Sequence, residues 1–204
     1  MKLFKVGFVD QDGVLADFIR KALFVHGKID MAQNMDLYDF GKDVEVMLDM
    51  ADTEEKKTKF WQRIMEAGSS FWVELEKFSY AEEVIHAVAS VCDEVKILTS
   101  PSRDQNPDIY WGKRKWLINK GRVFSDLEFI PCRSKYLLAR HDRLLVDYNP
   151  EQVKQFQEYG GHAILFPSIS NEAHVQVKSV MFHFGRSLYA LEEAVRNVRT
   201  TTSG

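Results

Sequence analysis

Five short apolar runs limit what this chain can become. They are Phe4 to Val9, Val95 to Leu98, Leu127 to Ile130, Leu144 to Val146 and Ala163 to Phe166. Each is short and bounded by turn-forming residues, as buried strands are. From residue 81 onward they alternate with helical patterns. Ala81 to Val91, Tyr110 to Asn119, Ser134 to Arg140 and Glu151 to Tyr159 repeat apolar residues at helical spacing. Strand and helix alternating through short connections imply a parallel sheet covered on both faces. Crossovers of one hand set the carboxyl ends of all strands along one edge, where such sheets bind their ligands.

The stretch between the first two runs has a different character. A helix is expected from about Asp17 to His26, with Gly27 as its stop. From about Lys28 to Ser79 the pattern is helical, over Lys42 to Met50 and again over Thr53 to Ala67. Thr53 and Glu54-Glu55 suit a helix start, and Gly68 a stop. Strand-like character returns only at Phe71-Trp72-Val73. The expected fold class is α/β, a three-layer parallel sheet with a small helical cap inserted after the first strand. Residues 1–17 and 80–204 would form the core and 18–79 the cap. The tail from about Ala173 to Val198 reads as one long helix. Its residues Val177, Met181, Phe184, Leu188, Leu191, Val195 and Val198 recur at four-three spacing. A helix packed on the sheet and a homodimer contact both fit that seam.

Length and charge exclude several classes. At 204 residues, 45% of them apolar, the chain can bury one α/β core and a modest insertion. A net charge of -3 with interspersed signs is not the basic field of a nucleic-acid binder. The Lys113-Arg114-Lys115 cluster is too short to change that. No apolar stretch approaches the roughly 20 residues that span a bilayer, and the apolar residues before Asp10 are too few for a signal-peptide core. The two cysteines, Cys92 and Cys132, match no zinc or redox spacing. A cytoplasmic protein with reduced core thiols is expected.

The residues just past the apolar runs could carry chemistry together. Asp10 and Asp12 follow the first run, Thr99 and Ser100 the second, Arg133 and Lys135 the third, and Asp147, Tyr148 and Asn149 the fourth. Alone, each has an ordinary explanation: a capping Asp-x-Asp, a Thr-Ser turn, a surface lysine. As an ordered set at strand ends they are a working kit. Asp10 and Asp147 can bind a hard cation through oxygen. Thr99 can donate to a phosphate oxygen, and Lys135 can supply positive charge. A carboxylate can attack phosphorus, and a second one two residues later can protonate the leaving alcohol. Residues i and i+2 of an extended segment share a side, so Asp10 and Asp12 can face one substrate.

The segment Phe8-Val-Asp-Gln-Asp-Gly-Val-Leu-Ala-Asp-Phe18 resembles the first motif of the haloacid dehalogenase (HAD) phosphatases. It is most similar to the 5'(3')-deoxyribonucleotidase family. Lys96-Ile-Leu-Thr-Ser-Pro101 resembles that family's second motif, Arg133-Ser-Lys135 its third, and Leu144-Leu-Val-Asp-Tyr-Asn-Pro150 its fourth. Ser70-Phe-Trp-Val-Glu-Leu-Glu76 resembles the segment that leads back from the cap. The resemblance spans about Phe4 to Phe166. It implies Asp10 as nucleophile and metal ligand. It implies Asp12 as general acid and then base, with its carbonyl on the metal, and Asp147 as the other carboxylate. The implied cofactor is magnesium. Thr99, Ser100 and Lys135 would hold the phosphoryl group. Lys113 would lie near the phosphate, and Arg133, Phe18 and Trp72 would contact the substrate, Phe18 by stacking on a base and Trp72 as a cap aromatic completing that pocket.

In one place the chain departs from that pattern. The family carries two successive aspartates in its fourth motif, and here Tyr148 stands second. The chemical steps still have Asp10, Asp12 and Asp147. The resemblance implies a phosphatase for nucleoside monophosphates. Two alternatives stay open: a HAD phosphatase for another small ester such as a sugar phosphate, and a phosphate-binding or scaffolding protein with a decayed site. There is no Gly-rich nucleotide loop, Gly-x-Ser-x-Gly elbow or paired-histidine spacing.

Overall fold

The structure is a computed structural model, and it describes residues 2–34, 37–38, 41–101, 106–171 and 180–201. Strands β1 (Phe4–Val9), β2 (Cys92–Thr99), β3 (Glu128–Pro131), β4 (Arg143–Asp147) and β5 (His162–Leu165) form one sheet in the order β3-β2-β1-β4-β5. All four pairings are parallel. β1 lies in the middle, with β2 on one side and β4 on the other. The chain order reverses there, which is where open α/β sheets bind ligands.

Alternate residues of the central strands enter two cores. Val9, Ile97, Leu144 and Val146 join the larger one, with Val84 and Val88 of α6 (Ala81–Val91), Trp116 of α7 (Pro107–Asn119) and Phe184 of α10 (Val180–Thr201). Phe8, Leu98 and Leu145 point the other way, onto Val153 and Phe156 of α9 (Pro150–Glu158). Both faces of the sheet are covered, so the strands are apolar on both sides.

Helices α1 (Phe18–Val25), α2 (Ile29–Gln33), α3 (Val44–Met47), α4 (Glu54–Glu66) and α5 (Gly68–Val73) lie in the chain between β1 and β2. The two connections meet where Ala16 and Lys77 form an antiparallel bridge and Asp17 N–H donates to the Glu76 carbonyl at 2.9 Å. Ion pairs Arg20–Glu76 and Lys21–Glu74 brace that junction. Asp17 caps α1 through the Arg20 N–H, and Thr53 caps α4 through the Lys56 N–H.

Two expectations are corrected here. Phe71-Trp72-Val73 is helical, because Gly68 takes φ +63° and the chain starts a new helix there instead of stopping. The helix expected over Lys42 to Met50 is the single turn Val44–Met47. The short helix α2 (Ile29–Gln33) precedes that turn within the same stretch. The seam of the tail packs against its own core: Phe184 and Leu188 are buried, and Met181, Leu191 and Val195 are packed on the cluster. Val177 lies outside the described residues. Both cysteines are free thiols, Cys92 buried and Cys132 half-buried. Among the described residues no helix is long and apolar enough to cross a membrane.

Candidate active site

β1 ends at Val9 and β4 at Asp147, and the strands pair in parallel register up to Val9–Val146. Asp10 N–H continues the pairing by donating to the Val146 carbonyl at 2.9 Å. Asp10 and Asp147 therefore lie at the same height on neighbouring strand ends. Between them sits Lys135, from the 3-10 turn Lys135–Leu138 that follows β3. Its Nζ donates to Asp10 Oδ1 at 2.8 Å and to Asp147 Oδ2 at 2.7 Å. All three side chains are buried, Lys135 to 1% exposure. Burial alone would pull the ammonium down, but Asp10 and Asp147 together hold it above its ordinary value. Burial pushes the Asp147 carboxyl up to about 6, against the pull of Lys135 and with the push of Asp10. The Asn149 N–H donates to Asp147 Oδ1 at 2.9 Å and fixes the rotamer.

A second lysine serves the second carboxylate. Lys113 Nζ on α7 lies 2.6 Å from Asp12 Oδ2, donates to Thr99 Oγ1 at 3.0 Å and to the Ser100 carbonyl at 2.8 Å. Burial raises the Asp12 carboxyl above its ordinary value. Lys113 opposes that shift and the Asp10 charge adds to it. Asp12 Oδ1 is buried without a partner.

The structure thus gathers Asp10, Asp12, Thr99, Ser100, Lys113, Lys135 and Asp147 at one end of the sheet. Arg133 is not drawn in: it is exposed, and its main-chain oxygen accepts from Gln152 Nε2 at 3.4 Å. Phe18 and Trp72 lie beside the cluster but face each other. Their rings stack with centroids 5.7 Å apart at 25°, and Phe71 meets Phe18 edge-on. They are 9% and 3% exposed, so no slot for a third ring lies between them. The Trp61 ring also lies against Phe18, with centroids 6.0 Å apart.

Tyr148, which stands where a second aspartate was expected, is packed through its ring. Its ring lies on Gly13, where an added Cβ would fall 2.7 Å from Tyr148 Cδ1. Gly13 takes φ +77°, which lets the chain turn sharply after Asp12. Burial, then the Asp10 charge and those of other nearby carboxylates, raises the Tyr148 phenol well above its ordinary value. Asn149 is occupied as the cap of α9, accepting from the Glu151 and Gln152 N–H groups.

Residues that sequence reasoning missed support this arrangement. Gln11, fully buried, donates through Nε2 to the Lys113 carbonyl at 3.2 Å and ties the turn after Asp10 to α7. A glutamine set between two aspartates was the available signal. Asn171 Nδ2 donates to the Tyr148 and Phe166 carbonyls, at 3.0 and 2.9 Å. Nothing in the sequence marks it.

The donor set suits a hard divalent cation. Asp10 and Asp147 already converge on one positive charge, and the buried Asp12 Oδ1 lacks a donor. Among the described residues no three His, Cys, Asp or Glu side chains group as a metal site. A cation here would lean on two carboxylates, with main-chain oxygen and water completing its shell, as magnesium accepts.

Comparisons with known proteins bear on the fold and on the family. No curated protein matches the sequence. Among solved structures, a haloacid dehalogenase-like hydrolase from Streptococcus pneumoniae is similar over 90% of this chain and 100% of its own, with TM-score 0.53 and 13% identity. A haloacid dehalogenase-like family hydrolase from Xanthomonas campestris is 14% identical, covering 93% of this chain and 94% of its own with TM-score 0.49. At 13% identity the first likeness shows the fold, a HAD-like α/β sheet. The family model described as "5' nucleotidase, deoxy (Pyrimidine), cytosolic type C protein" matches residues 5–181. With most of its length matched and the strand-end carboxylates in place, the chain belongs to that 5'-nucleotidase family of HAD-fold phosphatases.

Proposed function

We propose that the protein removes the phosphate from (deoxy)ribonucleoside 5'-monophosphates through an aspartyl-phosphate intermediate, with Mg2+ as cofactor. The observation that carries this reading is the convergence of Asp10 and Asp147 on one buried cation, with Asp12 two residues on. The family match supports the nucleotide class.

Each residue then has a task. Asp10 attacks phosphorus in line, forming the acyl phosphate as the ester P–O bond breaks. Asp12, whose raised pKa suits an acid, gives its proton to the leaving alkoxide. Asp12 next takes a proton from water, whose oxygen attacks phosphorus. Orthophosphate leaves and the Asp10 carboxylate returns. Thr99, Ser100, Lys113 and Lys135 bind and orient the phosphoryl group, which offsets the repulsion between a dianion and two carboxylates. Magnesium, held by Asp10, Asp147 and the Asp12 carbonyl, would supply further charge compensation. Residues 18–79 would act as the cap over this centre. Arg133, Phe18 and Trp72 would contact the organic part of the substrate once the cap moves. The family's cytosolic description supports a cytoplasmic location. Neither a nucleic-acid polymer nor a membrane is needed as partner. Homodimerisation is a further expectation, though the α10 seam is already packed on its own core.

One observation favours a second reading. Phe18 and Trp72 are stacked on each other and leave no gap for a base. A smaller ester such as a sugar phosphate would not need one. A panel of monophosphates, with Mg2+ and with chelator, separates the readings. Preference for dUMP or dTMP supports the nucleotidase, and preference for sugar phosphates supports the second reading. No hydrolysis of any ester, including a generic aryl phosphate, would sink both and leave a phosphate-binding scaffold.

A further inference from the structure

We infer that Trp72 is a positioning residue: the seam between α5 and α7 fixes where the Lys113 ammonium sits. The inference rests on the phosphatase reading for what Lys113 later meets, but the contact itself does not depend on it.

The seam begins with Gly112. A Cβ there would fall 2.7 Å from the Ser69 carbonyl and 2.7 Å from Trp72 Cβ, so only glycine lets the two helices come this close. Next in sequence is Lys113, and the Trp72 ring lies over its Nζ with 4.7 Å to the centroid. One turn further on, Trp116 Nε1 donates to the Leu75 carbonyl at 2.8 Å and pins the chain just past α5. Gln11 holds the Lys113 carbonyl from the opposite partner, the turn after Asp10.

The ammonium has three N–H donors, and Asp12, Thr99 and Ser100 each lie within reach of them. An aromatic face attracts a cation without competing for those donors. Trp72 therefore holds the charge in place while leaving its hydrogen bonds to the site. Because Trp72 belongs to the inserted helices and Lys113 to the α/β core, the position of the insertion sets the position of the charge. Phe18, stacked on Trp72, extends this link to the first connection into the insertion.

The test begins in the ligand-free protein, so it does not require turnover. The emission that belongs to Trp72 is the difference between wild type and Trp72→Phe. Lys113→Met is expected to shift it, and the neighbouring Lys115→Met to leave it alone. Gly112→Ala, which drives the helices apart, is expected to shift it to longer wavelength. Inorganic phosphate is then titrated calorimetrically. Trp72→Leu is expected to weaken it about tenfold, while Trp72→Phe, which keeps a π face, stays within about twofold. Equal phosphate affinities of the Leu and Phe variants would overturn the inference. So would Trp72 emission indifferent to Lys113→Met. Wild type that binds no phosphate counts against the phosphatase reading, while the emission result still decides the seam.

Discussion

Asp10 and Asp147 accept hydrogen bonds from the same buried ammonium, at 2.8 and 2.7 Å. The relation follows from the parallel pairing of β1 with β4, which brings two distant carboxylates to one level. Lys135 is their only shared cation among the described side chains. Lys135→Met should leave both charges buried and unpaired, lowering stability by about 3–5 kcal/mol. Urea denaturation with and without MgCl2 checks this. Added Mg2+ should restore part of the loss. A loss under about 1 kcal/mol would mean that the pair is not the source of stability supposed here.

Asp10→Asn should reduce turnover to background with the fold intact, because the amide cannot form the acyl phosphate. Asp12→Asn should lower kcat by about 10²–10⁴-fold, the usual range for losing a general acid. The loss should be smaller for aryl phosphates, whose leaving groups need little protonation. Steady-state rates on an alkyl and an aryl ester read the difference. Equal losses on both esters would count against the acid role.

Gly13 and Tyr148 are mutually fitted. Gly13→Ala meets both the φ of +77° and the Tyr148 ring 2.7 Å away, and should destabilise by about 1–3 kcal/mol. Adding Tyr148→Ala removes the clash but not the strained φ. A thermal melt of single and double variants should therefore show partial recovery. Full recovery would assign the whole effect to the ring.

His26 stacks on Phe60 with centroids 4.9 Å apart, and its Nε2 is buried without a partner. Burial lowers its pKa, and the nearby Arg63 charge adds to this. The unfolded chain therefore takes up the proton first. Stability from this site is present above the unfolded pKa of about 6.5 and is lost as pH falls through and below it. Urea midpoints measured from about pH 7.5 down to pH 5.5 should fall less steeply for His26→Phe than for wild type. Parallel slopes would place the pH dependence elsewhere.

By itself the sequence determined the layered sheet, since apolar runs of strand length must be buried on both faces. It also placed polar residues at the strand ends: Asp10, Thr99 and Asp147 each directly follow or close an apolar run. It did not determine which lysine meets which carboxylate. Lys135–Asp10 and Lys113–Asp12 depend on strand order, which sets β1 between β2 and β4. The packing of Trp72 on Lys113, of Tyr148 on Gly13 and of Gln11 on α7 was likewise left to the tertiary structure. Periodicity tells a side chain which face to occupy. Only the approach of two elements, set here by a single missing Cβ at Gly112, tells it which neighbour it will touch.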